Sequence, residues 1–310
     1  MAIAASQPGP RAIAESRSRT TIALLWLSVL TPLLAPVAAV LFTWQRWVTG
    51  LDLALLGGMY CVCGLGITVG YHRMLTHRSF QPHPVVKFIF LALGSISAMG
   101  PALLWAGTHI KHHISPDDDG DPHSPWDWVD RVRSVRKTGI RQLTRAHFLW
   151  MIYGEHIDAE RHAKWLLDDR MVMLMSRWPV TIGWITIGML FPLLVGGWQG
   201  LVWGGIIRIG LTHHITWSIN SICHVYGRRM FDTPDRSMNN WLCGVLGFGE
   251  GWHNNHHAFP RSAFHGLRWW QIDVSGYIIR AMEVMGCVRN VWRVPKDRLQ
   301  TRLVTSRKAG

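Results

Sequence analysis

Four long apolar runs constrain what this 310-residue chain can fold into more than any other feature of it. They cover about residues 21–44, 51–70, 178–195 and 201–219. A helix needs about 20 residues to cross the hydrocarbon of a bilayer, and helices satisfy their own backbone there. The first two runs are joined by the short link QRWVTG and the last two by GGWQG. Such links make neighbouring helices antiparallel, so the runs pair as two hairpins. The predicted fold is an all-α membrane protein with four transmembrane helices. The first run is too long for a signal-peptide core and no small-residue cleavage site follows it, so it is expected to be retained.

A further apolar stretch, 85–106, carries Gly94, Gly100 and Pro101 and has histidine motifs at both ends. Motifs that act together must share a compartment, so this stretch is expected to be interfacial or re-entrant. The expected organisation is a flexible polar tail over 1–20, one membrane domain over 21–286 and a basic tail over 287–310. Lys and Arg set the orientation. The links at 45–50 and 196–200 hold one Arg and no Lys. The tails and the polar segment 108–177 hold nearly all the rest. The positive-inside rule then puts both termini and that segment in the cytoplasm, with the chain integral to the inner (cytoplasmic) membrane.

Composition narrows the function. Hydrophobic residues make up 48% and charged residues 16%, too apolar for a nucleic-acid-binding or disordered chain. The net charge of +13 suits an anionic membrane surface. Five scattered cysteines contain no C-x-x-C pair, which excludes a thiolate zinc site and suits reducing cytoplasm.

Histidines then accumulate at the cytoplasmic ends of the spans. His72 and His77 follow the second span in GYHRMLTHRSF. His109, His112 and His113 stand in THIKHH, Asn220 and His224 in NSICH, and His253, His256 and His257 in GWHNNHHAFP. Residues at i, i+3 and i+4 share a helix face, so each H-x-x-H-H can aim three imidazoles at one point, and Asn220 and His224 face together. His72 and His77, at i and i+5, need a helix end or loop to converge. One such histidine alone reads as a packing residue; two triplets and two pairs on one membrane face do not. A single zinc takes about four ligands, so nine histidines imply two metal ions. Imidazole suits iron, which keeps positions open for O2.

The motifs GYHRMLTHRSF, THIKHH with GDPHSP, TWSINSICHVYG and GFGEGWHNNHHAFP resemble the integral-membrane fatty acyl desaturases of the acyl-CoA Δ9 type, over about Ala23 to Gly286. The resemblance implies four transmembrane helices under a cytosolic helical cap that carries a di-metal site. It implies two irons held by His72, His77, His109, His112, His113, His224, His253, His256 and His257, with Asn220 reaching one through a water. One departure stands out. Where the family usually has an acidic residue before the second box and an Arg after its first histidine, this chain has Thr108 and Ile110. That bears on the acyl carrier.

The expected reaction is O2-dependent insertion of a cis double bond into a saturated acyl chain, a fatty acyl thioester or lipid. No side chain is base enough to break unactivated C–H bonds, so the chemistry belongs to the metals. Hydroxylation, acetylene formation and oxidative decarboxylation are alternatives on the same scaffold. A metal transporter would place ligands near the bilayer midplane instead. Trp105 and Trp217, beside metal motifs, are candidates to line the substrate tunnel. His213 and His214 are expected to pack within the fourth span. The six cations of RVRSVRKTGIRQLTR (131–145) form a solvated or lipid-facing surface, or a landing site for a carrier or donor. Asp117, Asp118, Asp119 and Asp121 are expected to cap helices or order His112 and His113. The sequence has no dinucleotide loop, haem signature or cysteine cluster, so electrons must come from a separate ferredoxin-, rubredoxin- or cytochrome b5-like protein and its reductase.

Overall fold

The computed structural model describes residues 19–43, 47–130, 135–153 and 162–304. It is mostly helical. Helix α1 (Arg19–Thr43) leads to α2 (Gly50–Leu65), whose start is fixed by a capping box. Thr49 Oγ1 accepts from the Asp52 N–H at 3.3 Å, and Asp52 Oδ2 accepts from the Thr49 N–H at 2.8 Å. Without a break α2 becomes a π-helix over Gly66–Thr76. The short strand β1 (Gln81–Pro82) is followed by α3 (Pro84–Ile96) and α4 (Ala102–Ile114). Two small strands, β2 (Asp127–Asp130) and β3 (Val135–Lys137), make an antiparallel hairpin in the polar segment.

The stretch 85–106 is therefore not one interfacial helix. It breaks between α3 and α4, where Ala98 (φ 63°) and Gly100 (φ 86°) take left-handed conformations and Pro101 starts the next helix. The turn lets α4 change direction and carry its histidines towards the others.

Two helical runs are long and apolar enough to cross a membrane, Gly50–Thr76 with 27 residues and Trp178–His224 with 47. The second is not one rod. Helix α5 (Trp178–Gly200) contains Gly197 at φ 60°, ψ −151°, outside helical space. Beyond it the chain runs through Leu201–Ile207 into α6 (Arg208–Ser221). Arg208 Nη2 donates to the Gly188 carbonyl at 3.1 Å. In a continuous helix those residues would stand about 30 Å apart at 1.5 Å per residue, so the chain has doubled back. Arg208 is fully buried and also donates to the carbonyls of Gly204 (3.0 Å) and Ile96 (2.8 Å). It thus ties α6 to α5 and to the C-terminal end of α3, where carbonyls lack helical partners. Helix α1 packs on α6 and on the segment before it.

Close helix crossings use small residues. A Cβ on Gly66 would stand 2.3 Å from the Leu93 carbonyl carbon, and one on Gly70 would stand 2.8 Å from the Phe90 oxygen. These glycines, four residues apart, share the face that meets α3.

The rest of the chain, with α7 (Trp241–Leu246), α8 (His253–Ala258) and α9 (Val274–Val284), packs where the π-helix, α4 and α6 end. Residues 287–304 do not form a separate tail. Strand β4 (Val288–Arg289) pairs antiparallel with β1, and the Trp292 N–H donates to the Ser79 carbonyl at 2.8 Å. Trp292, Val294, Leu299 and Leu303 pack with Phe231, Ala258 and Phe259. The apolar residues spread among the basic ones give this segment a face to bury, which a count of charges hides. Residues 1–18 and 305–310 of the expected tails lie outside the described residues.

Candidate metal centre

The nine histidines converge as two adjoining groups. His72, His77, His109, His113 and His256 form one, and His112, His224, His253 and His257 the other. Every ring presents Nε2 inward. In the first group His72 lies 3.2 Å from His256 and 3.1 Å from His77, and His113 lies 3.0 Å from His109 and 2.9 Å from His256. In the second, His253 lies 3.0 Å from His224 and 3.1 Å from His257, and His112 lies 3.3 Å from His257.

The elements explain this partition and correct one expectation. An H-x-x-H-H triplet does not aim at one point. Successive residues on a helix are about 100° apart, so i+3 and i+4 diverge while i and i+4 nearly align. On α4 the i, i+4 pair His109 and His113 serves one group, and His112 serves the other. On α8 the roles reverse: His253 and His257 pair, and His256 crosses over. Each helix therefore bridges both groups. His72 and His77 converge at a helix end, as expected, because His77 caps the π-helix. In the π-helix the i and i+5 residues are neighbours, and the His77 N–H donates to the His72 carbonyl at 3.1 Å.

Carboxylates stand behind four rings. His72 Nδ1 meets Glu250 at 2.5 Å, His112 Nδ1 meets Asp121 at 3.0 Å, His224 Nδ1 meets Asp117 at 2.8 Å and His257 Nδ1 meets Asp235 at 3.1 Å. A proton held at Nδ1 by a carboxylate leaves the Nε2 lone pair facing inward. Burial first, then the neighbouring imidazoles, pushes His77, His109, His113, His253 and His256 well below the usual histidine range.

This donor set fits two metal ions. Two cis ligands with bonds of about 2.1 Å to one ion stand about 3 Å apart, which matches the Nε2 separations above. Nine buried lone pairs at that spacing would otherwise repel one another.

Of the four aspartates after the second box, Asp121 orders His112 as expected. Asp117, in the left-handed region at φ 59°, reaches His224 instead. Asp118 accepts from Trp128 Nε1 at 2.8 Å. Sequence reading gave no role to Glu250, Asp235, Arg73, His123 or His265. Glu250 lies three residues before His253, and it joins His72 to the buried Arg73, which Asp273 also holds at 2.9 Å. His265 lies 3.6 Å from Glu250, and His123 lies 3.6 Å from Asp121.

The metal groups border a cavity of about 780 Å³. His72, His109, His253 and Asn220 line it, as do both expected tryptophans, Trp105 and Trp217. Trp105 stacks on His109 with ring centroids 5.3 Å apart. Asn220 stands one turn before His224, on the cavity wall. His213 is buried in the bundle as expected and approaches the Ser97 carbonyl at 3.0 Å, while His214 pairs with His147 at 3.1 Å.

Comparison with known proteins agrees with this geometry. The family model described as fatty acid desaturase matches residues 42–274. The chain is 38% identical over 230 residues to the sn-1 stearoyl-lipid 9-desaturase of Anabaena variabilis, covering 74% of this chain and 79% of that one. It is 36% identical over 298 residues to Delta-9 acyl-lipid desaturase 1 of Arabidopsis thaliana, covering 93% and 88%. It is 34% identical over 269 residues to the hex-5-enoyl-[acyl-carrier protein] acetylenase of Moorena producens, covering 84% and 83%. With every histidine box inside the matched region or at the wall of one apolar cavity, this chain belongs to the fatty acid desaturase family.

Proposed function

We propose that this protein inserts a cis double bond into a saturated fatty acyl chain, with O2 as oxidant and two electrons from a separate electron-transfer protein. The observation that carries the reading is the convergence of nine Nε2 atoms beside an apolar cavity that His72, His109 and His253 line. The reaction balances. The –CH2–CH2– unit gives up two hydrogens, the donor gives two electrons, two protons come from the medium, and O2 leaves as two waters. Two iron ions, held by the five- and four-histidine groups with Asn220 beside the second, would supply the oxidising power.

The protein's own contribution is placement. A shift of about 1 Å at the reacting carbons changes which bond is oxidised. Glu250, Asp121, Asp117 and Asp235 fix the ring orientations, and Trp105 walls the cavity beside His109. The apolar lining keeps water away from the reacting carbons. We read α1, α2 with its π-helical continuation, α5 and α6 as four membrane spans, with the histidine face, the cap and both termini in the cytoplasm. The acetylenase among the relatives keeps a second oxidation of an existing double bond in view on the same scaffold.

The test is the fatty-acid profile of aerated cells expressing the chain, with double bonds located by mass spectrometry, beside cells expressing His256→Ala. A new monounsaturated acid that the variant lacks is the expected result. A new hydroxy, acetylenic or chain-shortened product would replace desaturation with one of those oxidations. No new product from membranes that hold iron-loaded protein would refute the reading.

A further inference from the structure

The family's substrates differ in what carries the acyl chain, so the carrier must be read from the cavity. Its lining includes Thr, Ser, Tyr, His and Asn side chains, yet no Lys or Arg among the described residues. A coenzyme A ester or a carrier-protein thioester brings phosphates, and phosphates are held by Arg, Lys or bundles of N–H donors. Near the second histidine box the positions that could help do not. Ile110 packs against the hydrophobic core, and the Thr108 hydroxyl donates to the Leu104 carbonyl at 2.8 Å. Two of the described cations of the Arg-rich segment, the exposed Arg145 and the half-buried Arg136, are engaged by the protein's own acceptors. Arg145 pairs with Asp127 at 2.7 Å, and Arg136 donates to the Asp117 carbonyl.

The same cavity is bordered by residues on the apolar outer surface. Leu27 of α1, Leu104 of α4, Ile182 of α5 and Leu246 of α7 all line it, with 61%, 39%, 41% and 39% of their surfaces exposed. Two contacts place these residues against the apolar bundle. The Leu103 N–H donates to Ser176 Oγ at 3.0 Å, which sets the start of α4 beside the start of α5. Tyr60 of α2 donates to the Leu246 carbonyl at 2.5 Å, which sets α7 against α2.

We propose that the acyl chain reaches this cavity sideways from the bilayer, still esterified to a membrane glycerolipid, through the apolar mouth that Leu104 and Ile182 border. The proposal rests on the desaturase reading. It needs no phosphate-binding cations in the cavity, because the lipid headgroup stays among its neighbours at the membrane surface.

The test uses vesicles holding the full-length, iron-loaded protein with reduced ferredoxin and O2. One set carries deuterated stearate at sn-1 of phosphatidylcholine; the other receives deuterated stearoyl-coenzyme A. The expected result is a double bond in the lipid-borne chain at least tenfold faster than in the thioester. Faster conversion of the thioester overturns the proposal and leaves the desaturase reading standing. No double bond in either overturns both. As a second arm, Leu104→Trp should slow conversion of the lipid severalfold with iron content unchanged; unchanged conversion would rule out this mouth.

Discussion

Asp117 and His224 are 107 residues apart in sequence, yet Oδ2 of one meets Nδ1 of the other at 2.8 Å, both fully buried. Asp117 also accepts from the Arg236 N–H at 2.8 Å and from Ser124 Oγ at 2.9 Å. The loop after the second histidine box therefore orients His224, which the short turn after α6 delivers. In Asp117→Asn the shape survives and the charge does not. Loss of such a partner costs about 10–100-fold in metal affinity or activity. Iron retained after dialysis against a chelator, with turnover measured alongside, checks this; wild-type retention would show that Asp117 only packs.

Arg73 makes a stability prediction. It is fully buried and held by Glu250, Asp273 and the Ala263 carbonyl. Arg73→Met strands two buried carboxylates, a loss of about 3–5 kcal/mol. Thermal unfolding in detergent should shift down by several degrees or more; an unchanged midpoint would mean that the network contributes little.

Gly66 tests the helix crossing. In Gly66→Val the new Cβ meets the backbone of α3, which cannot yield as a flexible side chain would. The π-helix would be pushed away with His72 and His77, and both folded yield and iron content should fall together. Gly57→Ala is the control, because nothing lies within 4 Å of its added Cβ. It should be neutral or stabilising by about 0.5–1 kcal/mol. Equal behaviour of the two variants in size-exclusion profiles would count against the close-packing account.

Met189 should limit chain length. Among α5 residues lining the cavity it lies farthest from Trp178, about 16 Å along the helix at 1.5 Å per residue. Met189→Trp should reject the longest acyl chains, by about tenfold or more for each methylene pair excluded. Competition between stearate and palmitate in expressing cells reads this as a shift towards the shorter product. An unchanged ratio would place the end of the bound chain elsewhere.

The sequence by itself determined the membrane class, the helical architecture and the identity of the histidines that meet. Those follow from local quantities: apolar run length, link length, and residue type at helical spacing. It did not determine how the histidines divide. That depends on which side of α4 and α8 faces which neighbour, and packing decides it. The π-helical winding that joins His72 to His77 is likewise a feature of the packed structure, in the segment where Gly66 and Gly70 cross against α3. The break at Ala98–Pro101 was hidden because turn residues inside an apolar stretch also occur in continuous membrane helices. Of the carboxylates behind the rings, Asp121 was legible as a partner of His112, Asp117 was not matched to His224, and Asp235 and Glu250 read only as isolated acids. Asp117, Asp235 and Glu250 acquire their roles through contacts across 107, 22 and 178 residues of chain, to His224, His257 and His72. Spacing along one chain carries no information about such contacts, because their energy exists only once the fold has closed and excluded water.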